Sequence, residues 1–595
     1  MKELQYPFDA GKILQNKRSL RKQLLSQDKP WREIKIALLS GSTIGDIKKI
    51  LELFLLNQGI KPEFFEGQYN RYYEDILFDN PELIKFAPDI IYIHTSNKNI
   101  EYMPDVDESD EMVADKLQRQ YEKFVGIWNK IKEVYKCPII QNNFEPVAYR
   151  VYGNSDVYRN NGEMCFINRL NQKFYEYASD SGNNLYINDI NYLASWIGLE
   201  KWADNTYWYP YKYALHMEAI PLLCYSISNI IKSLLGKNKK SIVLDLDNTL
   251  WGGVIGDDGV ENIKLGIETP QGMAFQDFQR YLKKLKKLGI MLNIDSKNEL
   301  EIAMKGFDHP SSVLKKDDFI EIMANWDDKH LNLQKIIQKL NIMPDSFVFV
   351  DDNPTERGVI RSFLPEVEVL ELTSPEEYLN LLDKSAFFES TILSEDDKKR
   401  VEMYKQNQAR QELQASFTDY SDYLKSLEMT SSMQPFKEEN IARVTQLINK
   451  TNQFNLTTKR LTQTEVEEMA TAEEYITICG DLNDKFGNNG IVTILIGKKE
   501  KECLHILLWI MSCRVFKRDL EYALFDTLIG ECNKHGITKI YGHYIPTKKN
   551  KLVSQFYGEL GFVKVNEEDG ESFWEYEIPG NYKNKNHVIE VKNYE

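Results

Sequence analysis

The sequence predicts a multidomain α/β protein organised around a central parallel sheet, and three observations carry that reading. Buried-strand runs alternate with amphipathic helical runs in βαβα order through the middle of the chain. The length, 595 residues, exceeds what one core fills at roughly 100–200 residues per domain. The composition, 42% hydrophobic and 28% charged, is that of an ordinary globular chain, so several cores can form.

In chain order, Ile34–Leu39, Ile90–His94 and Pro138–Gln141 read as strands between amphipathic segments, which assigns residues 1–236 to an N-terminal α/β domain. The polar run Lys237–Lys240 then precedes a new buried strand, Ser241–Leu246. Residues 237–393 form the second domain, with a helix over 273–288, a strand at Ile290–Ile294, a helix over 331–340 and a strand at Ser346–Val350. Strand, helix, strand order of this kind implies parallel pairing. The charged stretch 394–428 reads as a helical connector. Residues 429–580 read as an α+β domain, with strands at Val492–Ile496, Leu504–Met511 and Lys539–Tyr544 and a helix over 518–534. The Asn- and Lys-rich tail, 581–595, is expected to add little to a core.

Charge and cysteine content narrow the function classes. The 74 Lys and Arg against 90 Asp and Glu leave a net charge of −16, which opposes long-range attraction to nucleic acid or to an anionic membrane. Seven cysteines without a CxxC pair fit reduced thiols and offer neither a disulfide framework nor a structural zinc set. The first residues reach Arg and Lys before any signal-like apolar run, and no apolar run approaches the ~20 residues that span a bilayer. The expected location is the cytoplasm.

The chemistry concentrates in IVLDLDNTLWGGVIGDDG, residues 242–259. A strand delivers Asp245 and Asp247 to its carboxyl end, where residues two apart share one side. That edge is where α/β sheets bind ligands. The plain alternative is that Asp247 and Asn248 cap the turn. Three further groups favour a site: Asp295, Ser296, Lys297 and Asn298 after Met291–Ile294; Lys329 in the loop before the helix at 331; and Asp351, Asp352 and Asn353 after Phe347–Val350. A phosphoryl-transfer site needs a nucleophile, a divalent cation, donors for the phosphoryl oxygens and a proton carrier.

On these motifs the chain resembles the haloacid dehalogenase (HAD) superfamily, a Rossmannoid parallel-sheet fold. The resemblance implies that Asp245 is the nucleophile that becomes an aspartyl-phosphate and that Asp247 is the general acid and base. Ser296 and Lys329 would hold the phosphoryl oxygens, and Asp245, Asp351 and the backbone carbonyl of Asp247 would hold Mg²⁺. A closer resemblance is to the FkbH-like, IIIC branch, through DLDNTLWGG at 245–253, DSKN at 295–298, NW at 325–326, VDDNPTER at 350–357, NQFNLTT at 452–458 and DKFGNNG at 484–490. It implies dephosphorylation of an acyl phosphate such as 1,3-bisphosphoglycerate. The glyceryl-like unit would then load onto the phosphopantetheine thiol of an acyl carrier protein, in polyketide-like or surface-polysaccharide biosynthesis. One position departs: Asp295 stands where the glyceryl-loading type has the Cys expected to hold the acyl group. A plain small-molecule phosphatase and a non-catalytic carrier-binding scaffold are the alternatives.

The third domain resembles the GNAT acyltransferase fold through CRVFKRDLEYAL at 513–524 and FYGELGF at 556–562. Arg514, Lys517 and Arg518 are the expected anion-attracting groups for acyl-CoA or a phosphopantetheine arm, although Lys517, Arg518 and Asp519 replace the usual glycines of that turn. The first domain, through LLSGSTIGD at 38–46, resembles the opening of SGNH or flavodoxin-like domains. Ser42 is a candidate nucleophile there, but no DxxH follows, and Asp204 and His216 are twelve residues apart. His94 and His505 read as strand residues. The helix at 275–288 carries Lys283, Lys284, Lys286 and Lys287 around an apolar stripe, a candidate docking face for an acidic carrier protein.

Overall fold

The computed structural model describes residues 1–391, 393, 395–451, 453–547 and 549–592. Asn452 of NQFNLTT and the last three residues of the tail therefore lie outside the described residues. The chain divides into two compact units, Met1–Leu234 with Lys384–Ile392, and Leu235–Asp383 with Leu393–Glu595. Among the described residues three sheets form, one in the first unit and two in the second.

The first unit holds strands β1 (Arg32–Ser40), β2 (Ile60–Glu66), β3 (Ile90–His94), β4 (Ile139–Asn142) and β5 (Leu185–Asn188). They pair in parallel in the order β2-β1-β3-β4-β5, the flavodoxin-like arrangement. Its core gathers Ile91, Ile93, Ile139 and Phe144 against Phe124, Trp128, Phe166 and Phe174 from the helices Asp110–Val134 and Glu163–Ser179. Strand β2 escapes the sequence reading because it lies at a sheet edge, where most of its side chains stay in contact with solvent.

The central sheet of the second unit comprises β6 (Ser241–Leu244), β7 (Met291–Ser296), β8 (Phe319–Ala324), β9 (Phe347–Val350) and β10 (Glu368–Val369). All its pairs are parallel, in the order β10-β9-β6-β7-β8. The helix expected over 273–288 runs Pro270–Lys287: Thr269 caps it by accepting the Gly272 N–H, and proline sits in its first turn, where no amide donor is needed. The helix expected over 331–340 begins earlier and spans Lys329–Leu340, so Lys329 opens a helix rather than sitting in the loop before it.

The third sheet comprises β11 (Met429–Gln434), β12 (Phe454–Asn455), β13 (Tyr475–Asp484), β14 (Gly487–Glu500), β15 (Cys503–Met511), β16 (Lys539–Tyr544), β17 (Val563–Glu568), β18 (Glu571–Glu577) and β19 (Ile589–Lys592). Its order is β17-β18-β16-β15-β14-β13-β11-β19, with β12 on β15. Pairs are antiparallel except β15–β16 and β11–β19. The tail departs from expectation here. Ile589 is buried in the same core as Leu427 and Met429, because β19 completes the sheet edge beside β11.

Among the described residues no helix is long and apolar enough to cross a membrane.

Candidate active site

Strand register builds the site. Leu244 pairs with Val350 on one side and Ile294 on the other, so Asp245, Asp351 and Asp295 follow at neighbouring strand ends. The Asp245 N–H donates to the Val350 carbonyl at 2.9 Å, extending the ladder one step into the acidic cluster. Carboxylate oxygens of Asp245, Asp351 and Asp352 all lie within 4.8 Å of one another. Lys329 supplies the counter-charge: its ammonium stands 2.9 Å from Asp245 and 2.6 Å from Asp351.

Burial and the Asp245 charge push the Asp351 carboxyl up to about 6, although Lys329 pulls against them. Burial would lower the Lys329 ammonium, but Asp245 and Asp351 raise it well above the usual lysine range. Asp352 is raised by burial and by Asp245. Three carboxylates held this closely with one ammonium form a hard, oxygen-only donor set, which fits a divalent cation such as Mg²⁺. Asp352 belongs to this cluster and was absent from the expected ligand set of Asp245, Asp247 and Asp351.

The Asp247 carboxylate is held by different partners. One oxygen accepts from the Trp251 indole at 2.9 Å and from the Ile255 N–H at 3.0 Å, and the other accepts from Asn298 at 3.0 Å. Burial raises its pKa while the Ile255 and Trp251 bonds lower it and the Asp245 charge raises it, for a net upward shift. Such a group retains a proton more readily than a free carboxyl. Ser296 is buried at the end of β7, and its carbonyl accepts the Asn325 N–H at 3.1 Å.

Two supporting residues were given no role by the sequence reading, although Arg357 ends the VDDNPTER motif. Arg357 is buried and donates to the carbonyls of Asp351 and Asp352, both at 2.7 Å, fixing the turn that presents those acids. Asn332 donates to Asp295 at 3.2 Å and exchanges hydrogen bonds with Asn325. Asp295 itself is fully buried, its second oxygen has no hydrogen-bond partner, and burial pushes its carboxyl up to about 8.

The other expected groups are not brought together. Arg518 is buried against Asp484 at 3.1 Å and also donates to Asn407, so its charge is consumed inside the protein instead of facing an external anion. Lys517 is exposed with a left-handed φ of 61°, while Arg514 donates to Ser512 and contacts Met403. In the proposed basic docking face, Lys283 donates to the Val313 carbonyl at 2.8 Å and lies 3.3 Å from Asp318, which also binds Lys286 at 2.6 Å. That face is partly neutralised by a carboxylate from another segment. In the first unit the buried Ser42 hydroxyl has no hydrogen-bond partner, and Asp204 and His216 stand 3.8 Å apart.

Residues 35–232 match the family model described as FkbH, N-terminal domain. The crystal structure of the N-terminal part of the protein BF1531 from Bacteroides fragilis, containing a phosphatase domain complexed with Mg, matches at 28% identity and a TM-score of 0.58. That match covers 63% of this chain and 99% of the other. The first unit is thus similar to the FkbH N-terminal domain. The central parallel sheet, with the acids at the carboxyl ends of its strands, is HAD-like. The C-terminal region is matched by the ribosomal-protein-S18-alanine N-acetyltransferase of Escherichia coli at 11% identity, a TM-score of 0.20, and coverage of 26% of this chain and 99% of that one. The PaiA N-acetyltransferase of Thermoplasma acidophilum, in complex with coenzyme A, matches at 9% identity and a TM-score of 0.20, over 25% of this chain and 99% of that one. No curated protein sequence matches the chain.

Proposed function

We propose that the protein is a HAD-type, Mg²⁺-dependent phosphatase acting through an aspartyl-phosphate at Asp245. The observation that carries this reading is the bridge from Lys329 to Asp245 and Asp351 within a three-carboxylate cluster at adjacent strand ends. The match to a phosphatase-containing structure bound to Mg supports it.

Asp245, Asp351 and Asp352 would hold the metal, which supplies positive charge to offset the phosphoryl oxygens. An Asp245 oxygen attacks phosphorus as the bond from phosphorus to the leaving oxygen breaks, and Asp247 gives its proton to that oxygen. Asp247, now ionised, takes a proton from water, whose oxygen attacks the same phosphorus and releases phosphate while restoring the Asp245 carboxylate. The upward shift of Asp247 suits it to the first step. Lys329 and Ser296 steady the phosphoryl oxygens.

The finer reading is that an acyl phosphate is the substrate and that the acyl unit passes to the phosphopantetheine thiol of a carrier protein. The FkbH match over residues 35–232 supports it. Asp295 in place of a thiol favours direct transfer or simple hydrolysis, since a carboxyl forms no thioester.

The test is phosphate release from small phosphate esters and acyl phosphates with Mg²⁺, comparing wild type with Asp245→Asn. Turnover should fall at least a thousandfold in the variant; equal release from both would overturn the assignment. Intact mass of a phosphopantetheinylated carrier incubated with 1,3-bisphosphoglycerate then separates the two finer outcomes. An adduct dependent on Asp245 means acyl transfer, and release without an adduct means hydrolysis.

A further inference from the structure

Three exposed apolar side chains stand on the loops around the groups that the proposed reaction uses. Val254 precedes Ile255, whose N–H donates to Asp247, and Leu300 lies two residues past Asn298, whose amide donates to the other Asp247 oxygen. Trp326 follows Asn325, whose N–H donates to the Ser296 carbonyl, and lies three residues before Lys329. These loops follow β6, β7 and β8, which are neighbours in the central sheet. The metal-binding acids come from β6 and from β9 on its other side. The carboxyl edge is therefore divided, acidic toward β9 and bordered by apolar side chains toward β8.

Trp326 carries the argument, because the turn that holds it outward is tied down on both sides. Ala324 pairs with Ser296 at the ends of β8 and β7. The Asn325 side-chain oxygen accepts the Asp327 N–H at 2.9 Å, closing a turn with Trp326 at its tip. Asn332 donates to the same Asn325 oxygen at 2.9 Å, and Lys335 binds Asp327 at 2.9 Å. The indole is nevertheless 72% exposed. One apolar side chain in water is ordinary on a protein surface. Three of them around a few fixed polar groups make the mixed lining typical of small-molecule sites, where a Trp ring offers the largest rigid contact area.

The reaction says which part of a substrate lies there. Asp247 protonates the leaving oxygen, so the body of the leaving group extends past Asp247, away from the acids of β9 and along the loops that carry Val254, Leu300 and Trp326. Charge does not select it. Lys297 is paired with Glu356 at 2.8 Å and Lys335 with Asp327 at 2.9 Å, so both cations are already matched within the protein.

We propose that Val254, Leu300 and Trp326 form the specificity surface of the site, with the Trp326 indole packing on the leaving group, and that the preferred leaving group is an uncharged acyl or aryl body larger than acetyl. This rests on the phosphatase reading at Asp245 and adds the class of leaving group to it.

The experiment measures kcat/KM for phosphate release from acetyl phosphate and benzoyl phosphate with Mg²⁺, in wild type, Trp326→Ala, Trp326→Phe and Asp245→Asn. The two substrates release carboxylic acids of similar strength, so their ratio reads contact with the leaving group rather than the reactivity of the bond. Wild type should favour benzoyl phosphate by about tenfold or more, and Trp326→Ala should lower that ratio by about threefold or more. Trp326→Phe keeps an aromatic face and should fall between them. Damage to the fold or to metal binding lowers both rates together and leaves the ratio alone. A wild-type ratio in Trp326→Ala, a Phe variant less selective than the Ala variant, or a wild type that turns over both substrates equally each overturns the inference and leaves the phosphatase reading standing. Release that is absent from wild type, or equal in Asp245→Asn, overturns the phosphatase reading and this inference with it.

Discussion

The Lys329 ammonium lies 2.6 Å from the Asp351 carboxylate, with both side chains sealed from solvent at 4% and 0% exposure. Lys329 is therefore the built-in counter-charge of the acidic cluster, and its removal strands buried carboxylates. Lys329→Met should reduce turnover by about 10²–10³-fold and destabilise the metal-free protein by about 3 kcal/mol or more. The loss should be smaller at low pH. A carboxyl whose folded pKa is raised, as Asp351 is to about 6, binds its proton more tightly folded than unfolded, so acidification favours the fold. Denaturant unfolding at pH 5 and pH 8 in chelator measures this, and an equal loss at both values would contradict it.

Asp295 offers a cleaner titration. Its carboxyl is fully buried and pushed up to about 8 from an ordinary 3.8, so the folded chain holds a proton there that the unfolded chain releases. The sign follows: stability contributed by this group is complete below about pH 4 and declines as pH rises toward 8. Asp295→Asn keeps the shape and removes the titration. The metal-free variant should exceed wild type in stability by a few kcal/mol, as an order of magnitude, at pH 9 and by much less at pH 5. Parallel stability curves for the two proteins would show that Asp295 does not titrate across this range.

Much of the candidate site was legible because its signals are local. Strand runs ending in Asp245, Ser296 and Asp351 place their side chains at one sheet edge once the strands pair in parallel, and the sequence order supports that pairing. The engagement of Arg518 was not legible. Its partner Asp484 is 34 residues away, across strands whose register no local pattern specifies. Lys283 likewise reads as part of a solvated face until the segment carrying Asp318 folds against it. Arg357 was quoted only as the end of VDDNPTER and given no role, because it holds main-chain carbonyls that sequence does not place.

Arg410 extends this lesson to the stretch read as a connector. It lies in the helix Arg400–Gln414, and its guanidinium binds both oxygens of Asp484 at 2.8 and 2.7 Å, with the two side chains 2% and 0% exposed. The helix is thereby fixed to the third sheet through a buried ion pair. Arg410→Leu should cost about 3–5 kcal/mol by the rule for breaking one side of such a pair. Asp484→Asn should cost at least as much, since it leaves both Arg410 and Arg518 without their carboxylate. Denaturant midpoints of the two variants decide this, and near-wild-type values would mean that the stretch is a passive linker.

The tail provides the last test, because composition and structure disagree over it. Asn and Lys dominate its residues, yet Ile589 is 5% exposed and packs in the core that includes Leu427, Met429 and Trp509. Strand β19 runs parallel to β11, with Ile589 opposite Met429 and Glu590 opposite Thr430. Side chains alternate along such a strand, so the two neighbours make opposite predictions. Ile589→Ala removes buried methyl groups and should destabilise by about 2–4 kcal/mol. Glu590 is exposed, and Glu590→Ala should stay within about 0.5 kcal/mol of wild type. If both substitutions prove neutral, β19 does not hold the sheet edge in solution. If Ile589→Ala alone is costly, a polar-looking segment has been drawn into the core by one correctly placed apolar residue, which an average over the tail conceals.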